Sequence, residues 1–175
     1  MTKNIVLIGF MGTGKSSCGK SLANRLGCAF IDLDKYIENK EQMSIPEIFA
    51  AKGEPYFRAK EREAVREAAQ RKGAVIATGG GAVKDEENFA ALQERGVIVC
   101  LSADIETILQ RTARKGERPM LDGQEDRRKG IEELLASRQA MYARADFTVD
   151  TSQLSPMQVT EEIMDFLRVG GIIRA

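Results

Sequence analysis

A three-layer α/β fold, with a five-stranded parallel sheet covered by helices on both faces, is what this sequence predicts, and three observations predict it. Five short runs rich in apolar residues occur at residues 4–8, 28–32, 74–78, 97–101 and 147–150. Most are apolar at both alternations, as strands buried on both faces require. The stretches between them carry apolar residues at helical spacing, so successive strands are joined by crossovers and lie parallel, with right-handed connections. Finally, the first run leads straight into a glycine-rich turn, Gly9-Phe10-Met11-Gly12-Thr13-Gly14-Lys15-Ser16, that opens a helix.

That turn fits the G-x-x-x-x-G-K-[ST] phosphate-loop pattern in the setting that gives the pattern its meaning, a strand before and a helix after. Gly9, Gly12 and Gly14 let backbone N–H groups converge on an anion where a Cβ would clash. The expected fold is therefore of the P-loop NTPase type. In it Lys15 reaches the β- and γ-phosphates, the Ser16 hydroxyl ligates Mg²⁺, and the helix N-terminus adds partial positive charge. Cys18, Leu22, Leu26 and Ala23 form the apolar face of the first helix, and Gly27 ends it.

The second strand exits at Asp32 and Asp34, at the sheet edge where α/β folds bind ligands. Either carboxylate can cap the next helix, and Asp34, just ahead of Tyr36 and Ile37, is well placed to do so. The functional alternative is that Asp32 holds a water of the Mg²⁺ shell and Asp34 accepts a hydrogen bond from a substrate hydroxyl. Ser44-Ile45-Pro46-Glu47 has capping-box spacing and starts a helix that Gly53 closes. A longer helix over 54–70 carries Arg58 near its positive end, where a cation is disfavoured by roughly 0.3–1 kcal/mol. Arg58 is thus either paired with Glu61 at i,i+3 or placed for function.

The third strand runs into Gly79-Gly80-Gly81, more glycine than a turn needs, which suggests close approach of backbone to a ligand. Phe89, Leu92 and a closing Gly96 mark the next helix; Ile105, Ile108 and Leu109 mark another, ending in Gln110-Arg111-Thr112. Over residues 113–124 the apolar period disappears, as in a loop that closes over an active site. A helix carrying Arg138 follows. Ser155-Pro156-Met157-Gln158 then opens the last helix.

Composition narrows the chemistry. At 175 residues the chain is expected to be one domain, 1–175. Lys plus Arg equals Asp plus Glu at 26 each, so no net positive field favours nucleic acid or an anionic membrane. No apolar run approaches the roughly 20 residues that span a bilayer, and the N-terminus opens on a strand rather than a cleavable leader. A cytoplasmic protein is expected. Cys18, Cys28 and Cys100, odd in number and set in apolar patterns, read as buried thiols. The chain has no histidine, which removes imidazole bases and Ser-His-Asp systems together. Phosphoryl transfer can proceed without them, since it depends on positioning and on cations around the transferred group.

An Asn-Lys-x-Asp guanine motif is missing, because Asn39-Lys40-Glu41-Gln42 lacks its Asp. No helicase-type acidic pair ends an apolar strand either. The chain resembles the shikimate kinases over essentially its full length. The matching segments are Gly9 to Ser17, the Asp-x-Asp of Asp32 and Asp34, Phe57-Arg58 with Glu61, Thr78-Gly79-Gly80-Gly81, Arg118-Pro119-Met120-Leu121, and Arg138 through Tyr142. The resemblance implies transfer of the ATP γ-phosphoryl to the 3-hydroxyl of shikimate. It assigns ATP contacts to Gly12, Thr13, Gly14, Lys15, Ser16, Ser17, Arg111, Arg118 and Gln153, and Mg²⁺ support to Ser16 and Asp32. Shikimate falls to Asp34, Arg58, Gly79, Gly80, Gly81 and Arg138, within an acceptor segment of about 33–61 and under a lid of about 113–124. Lys15, Asp34 and Arg118 carry the catalysis in this reading, Glu61 orients Arg58, and the enzyme is a monomer.

Overall fold

The structure, a computed structural model, describes residues 1–113 and 127–174. The first half runs β1 (Asn4–Gly9), α1 (Lys15–Leu26), β2 (Phe30–Asp32), α2 (Leu33–Glu41), α3 (Ile45–Lys52), α4 (Glu54–Ala69) and β3 (Val75–Ala77). A short 3₁₀ turn over Ala82–Lys84 leads to α5 (Glu86–Arg95), β4 (Gly96–Ser102), α6 (Ile105–Arg111), α7 (Arg127–Tyr142), β5 (Phe147–Asp150) and α8 (Pro156–Val169). All five strands pair in parallel, in the order β2-β3-β1-β4-β5. The phosphate-loop strand β1 is therefore central.

Strand alternation divides the core. Ile5 and Leu7 of β1, Val75 of β3 and Val97, Val99 and Leu101 of β4 pack with Leu22 of α1 and Ile163 and Leu167 of α8. Val6, Ile8, Ile76, Ile98 and Cys100 point the other way, against Ile37 of α2, Val65 of α4, Phe89 of α5 and Ile131 of α7. Both faces of the sheet are covered, which is why its central strands β1, β3 and β4 are apolar on both alternations. All three cysteines are free thiols. Burial raises the pKa of Cys18 and pushes Cys100 up to about 11.

Local signals fare well where they depend on neighbours in the chain. Gly27 takes the left-handed conformation (φ 61°) and caps α1, and Ser44 and Glu47 form the reciprocal capping box of α3. Three details differ. β2 starts at Phe30 rather than Cys28, because the Cys28 N–H still bonds the Ala23 carbonyl at the end of α1. Asp32, not Asp34, caps α2. Gly96 does not follow a helix end in a turn; it is already extended and begins β4. A Cβ there would lie 2.6 Å from the Leu92 carbonyl oxygen and 2.9 Å from a Val6 methyl, so glycine is needed for space where α5 meets the sheet.

Candidate active site

The carboxyl ends of the strands open on one cleft of about 1110 Å³, the expected ligand position for such a sheet. Its floor is the phosphate loop. Gly12 (φ 79°) and Gly14 (φ 92°) adopt left-handed backbone conformations that other residues rarely take. The Lys15 ammonium is buried and donates to the carbonyls of Gly9 and Phe10, both at 2.8 Å, so the cation is held against its own loop. The Thr13 hydroxyl donates to the Phe10 carbonyl at 2.8 Å and stiffens the same turn.

Beside the loop, the Ser16 hydroxyl donates to Asp32 Oδ2 at 2.7 Å. Two hard oxygens side by side next to a phosphate cradle suit Mg²⁺, which keeps several waters and takes the rest of its shell from substrate phosphates. Among the described residues no group of three His, Cys, Asp or Glu side chains could cage a metal alone. The other oxygen of Asp32, Oδ1, accepts the backbone N–H groups of Asp34 (3.1 Å) and Lys35 (3.3 Å).

Asp34 faces the cleft two residues into α2. Burial, then the negative charges of Asp32 and Glu61, push its carboxyl up to about 6, against an opposing pull from Lys15. Arg58 on α4 donates to Glu61 at 2.8 Å and, more loosely, to Glu54 at 3.4 Å. The paired reading of Arg58 is thus met, yet the guanidinium still lines the cleft. Glu61 is buried, and desolvation raises its pKa despite the arginines beside it.

The glycine triplet explains how these charges fit. A Cβ on Gly79 would stand 2.7 Å from Asp34 Oδ1 and 3.2 Å from Glu61 Oε2, and one on Gly81 about 3.0 Å from an Arg58 nitrogen. On Gly80 it would meet the Met11 N–H nitrogen at 3.2 Å and Arg138 Nη1 at 3.3 Å. None of the three has a positive φ. The glycines are there for room, and what approaches their backbone in this structure is the charged array itself.

Arg138, on α7, is the most telling side chain. It is 3% exposed, and its Nε and Nη1 have no hydrogen-bond partner among the described residues. Its guanidinium stacks over the Phe10 ring at 5.2 Å, and one turn on, the Tyr142 hydroxyl donates to the Gly80 carbonyl at 2.5 Å. A buried cation with open donors is costly unless an anion completes it. Bidentate donors of this shape match a carboxylate.

Opposite, Arg111 ties the loop after β5 to the phosphate loop: it donates to the Gly12 carbonyl (3.2 Å), the Thr151 hydroxyl (3.0 Å) and the Thr151 carbonyl (2.9 Å). The Thr151 hydroxyl in turn lies 3.1 Å from the Thr13 carbonyl. Ser17 and Gly12 to Ser16 all line the cleft. Gln153 is exposed and outside the lining, which its loop reaches through Thr151 and Leu154 instead. Arg118 and nearly all of the expected 113–124 lid lie outside the described residues. The buried Thr151 and the Phe49–Phe57 ring pair (4.9 Å) also line the cleft. No local pattern in the sequence marked Thr151 as a site residue.

Similarity to known proteins agrees with this geometry. The family model described as shikimate kinase matches residues 11–168. A shikimate kinase from Thermodesulfovibrio yellowstonii is 46% identical over 162 residues, covering 93% of each chain. The structure of shikimate kinase from Acinetobacter baumannii in complex with shikimate superposes with a TM-score of 0.93 at 37% identity, covering 97% of this chain and 95% of that one. The Aquifex aeolicus enzyme gives 0.82 at 32% identity, covering 97% and 98%. A phosphate loop on the central strand, a charged acceptor wall around a glycine triplet, and matches over nearly the whole length converge on one conclusion: the chain belongs to the shikimate kinase family.

Proposed function

We propose that this enzyme transfers the γ-phosphoryl group of ATP to the 3-hydroxyl of shikimate, with the acceptor held between Arg58, Arg138, Asp34 and the Gly80 backbone. The observation that carries the residue roles is the buried Arg138 guanidinium, on a residue that lines the cleft, with two nitrogens that have no hydrogen-bond partner among the described residues. The ring carboxylate of shikimate pairs with that fork and with Arg58, which Glu61 orients at 2.8 Å. Anchored there, the ring presents its hydroxyls to Asp34 and to the triplet.

In the reaction, Asp34 takes the proton of the 3-hydroxyl as the oxygen attacks the γ-phosphorus. The bond to the β,γ-bridging oxygen breaks, and the electron pair leaves with ADP. Lys15 moves from its own loop carbonyls to the phosphates and stabilises their charge. Mg²⁺, held beside Ser16 and Asp32 with the nucleotide, would neutralise the phosphate oxygens. Arg118 would add a cation from the lid over about 113–124; Arg127 donates to the Thr112 carbonyl and so pins the two flanks of that segment together. Gly12 to Ser17 and Arg111 hold ATP, with Gln153 on the loop at the adenine side. The reading is of one domain over 1–175, acting as a monomer in the cytoplasm. It accords with the finding that, among the described residues, no helix is long and apolar enough to cross a membrane.

Acceptor profiling tests the substrate. With ATP and Mg²⁺, ADP release should be rapid with shikimate and near background with gluconate, AMP or CMP. An acceptor lacking the carboxylate or the ring hydroxyls leaves buried polar groups unpaired, a mismatch worth a factor of roughly 10⁴. Brisk turnover with AMP or CMP and none with shikimate would reassign the acceptor site to nucleotides.

The role of Asp34 sets a pH dependence. Only the ionised carboxylate can take the proton, and its pKa is pushed up to about 6. kcat/KM for shikimate should therefore fall about tenfold per unit as pH drops below that value. Folding has the opposite sign. The native carboxyl still holds its proton where an unfolded one, at 3.8, has released it, so this group's contribution to stability declines as pH rises from about 4 to 6. A pH–rate profile flat down to pH 4.5 would remove Asp34 as the base.

A further inference from the structure

We propose that Asp32 is a positioning residue for Asp34: it fixes the start of α2, and through it the acceptor carboxylate, independently of any role toward Mg²⁺. This rests on the reading of Asp34 as the residue that meets the shikimate 3-hydroxyl. Among the described residues no hydrogen bond is made to the Asp34 carboxylate, which stands against the Gly79 backbone and the like charge of Glu61. Its placement therefore depends on the backbone that carries it. That backbone is held from two directions: Leu33, fully buried, anchors the first helical position, and Asp32 Oδ1 accepts the N–H groups of Asp34 and Lys35.

The capping carboxylate is itself fixed. Its second oxygen accepts the Ser16 hydroxyl at 2.7 Å, so the first turn of α1 and the first turn of α2 are joined through one side chain. Loss of an N-cap lets the first turn of a helix fray. Here the fraying turn is the one that carries Asp34. Asn caps a helix about as well as Asp, and the Ser16 hydroxyl can accept from its amide as readily as it donates to a carboxylate. The Asp32→Asn variant therefore keeps the cap while losing the charge, and Asp32→Ala loses both.

The test is calorimetric titration of shikimate into the wild type and variants with neither nucleotide nor Mg²⁺, in the presence of a chelator. The Kd for shikimate should rise about fivefold or more in Asp32→Ala and stay within about twofold of wild type in Asp32→Asn. Turnover with MgATP should fall in both. Asp85 caps α5 in the same way, accepting from Glu87 and Asn88, so Asp85→Ala controls for general loss of stability and should bind shikimate normally. Unchanged affinity in Asp32→Ala overturns the proposal, as does an equal loss in Asp32→Asn or in Asp85→Ala. If the alanine variant does not fold, Asp32→Asn still decides, since a loss of metal-free affinity there contradicts a capping role. A wild-type protein that takes up no shikimate sinks the substrate assignment first, and this proposal with it.

Discussion

Lys15→Met should leave a folded protein whose shikimate-dependent release of ADP has fallen by roughly 10²–10³-fold or more. The methionine keeps most of the length and apolar volume of the lysine stem, so the packing around the buried residue changes little. On the proposed reading, what disappears is a cation that would meet the phosphates as charge shifts onto the leaving ADP. In the unliganded protein that cation bonds two carbonyls of its own loop, and their loss should appear as a small fall in melting temperature. A coupled ADP assay beside a thermal melt by circular dichroism separates the two effects. Near-normal turnover would mean that the loop does not hold the reacting phosphates.

Arg138→Met should give the opposite combination, a protein at least as stable without ligand as the wild type and an affinity for shikimate reduced about 10²-fold or more. Removing a buried cation two of whose nitrogens have no hydrogen-bond partner among the described residues relieves a desolvation penalty, and replacing such charges by apolar side chains is often neutral or stabilising. Glu61 keeps its closer partner, Arg58, at 2.8 Å. The loss in affinity follows from two charge-assisted hydrogen bonds of about 1.5–3 kcal/mol each. Saturating shikimate should raise the melting temperature of the wild type, because it binds only the folded state, and should do so much less in the variant. Nucleotide affinity should hardly move. If it fell as far as shikimate affinity, Arg138 would belong to the phosphate side of the cleft.

How much of this was legible in the sequence depended on the range of the interactions involved. The phosphate loop and the capping box at Ser44 and Glu47 are set by residues within one turn of each other, and both formed as expected. Arg58 and Arg138 were legible as candidates, but the contrast between them was not. One is paired twice and the other is buried with open donors, a difference that depends on how α4 and α7 pack on the same face of the sheet. Asp32 and Asp34 carry the same side chain two residues apart. Which of them caps α2 depends on where β2 ends and the helix begins, a boundary that shifts easily by a residue or two. The Arg111–Thr151 strut spans 40 positions and exists only because β4 and β5 are neighbours. The triplet was read as a place where backbone approaches a ligand, and its neighbours in the structure include four charged side chains, Asp34, Glu61, Arg58 and Arg138.

The sheet order has a consequence for how the two halves of the cleft open. The phosphate loop follows β1, a strand paired on both sides and buried along its whole length, so its amides should exchange with solvent only when the molecule unfolds globally. Asp34 follows β2, an edge strand of three half-buried residues with a single neighbour. Amides of β2 should therefore exchange at a free energy below that of global unfolding, a difference that hydrogen exchange would read. On the proposed reading, the nucleotide grip would be as durable as the core, and the acceptor wall would let go of substrate or product while the rest of the sheet stays closed.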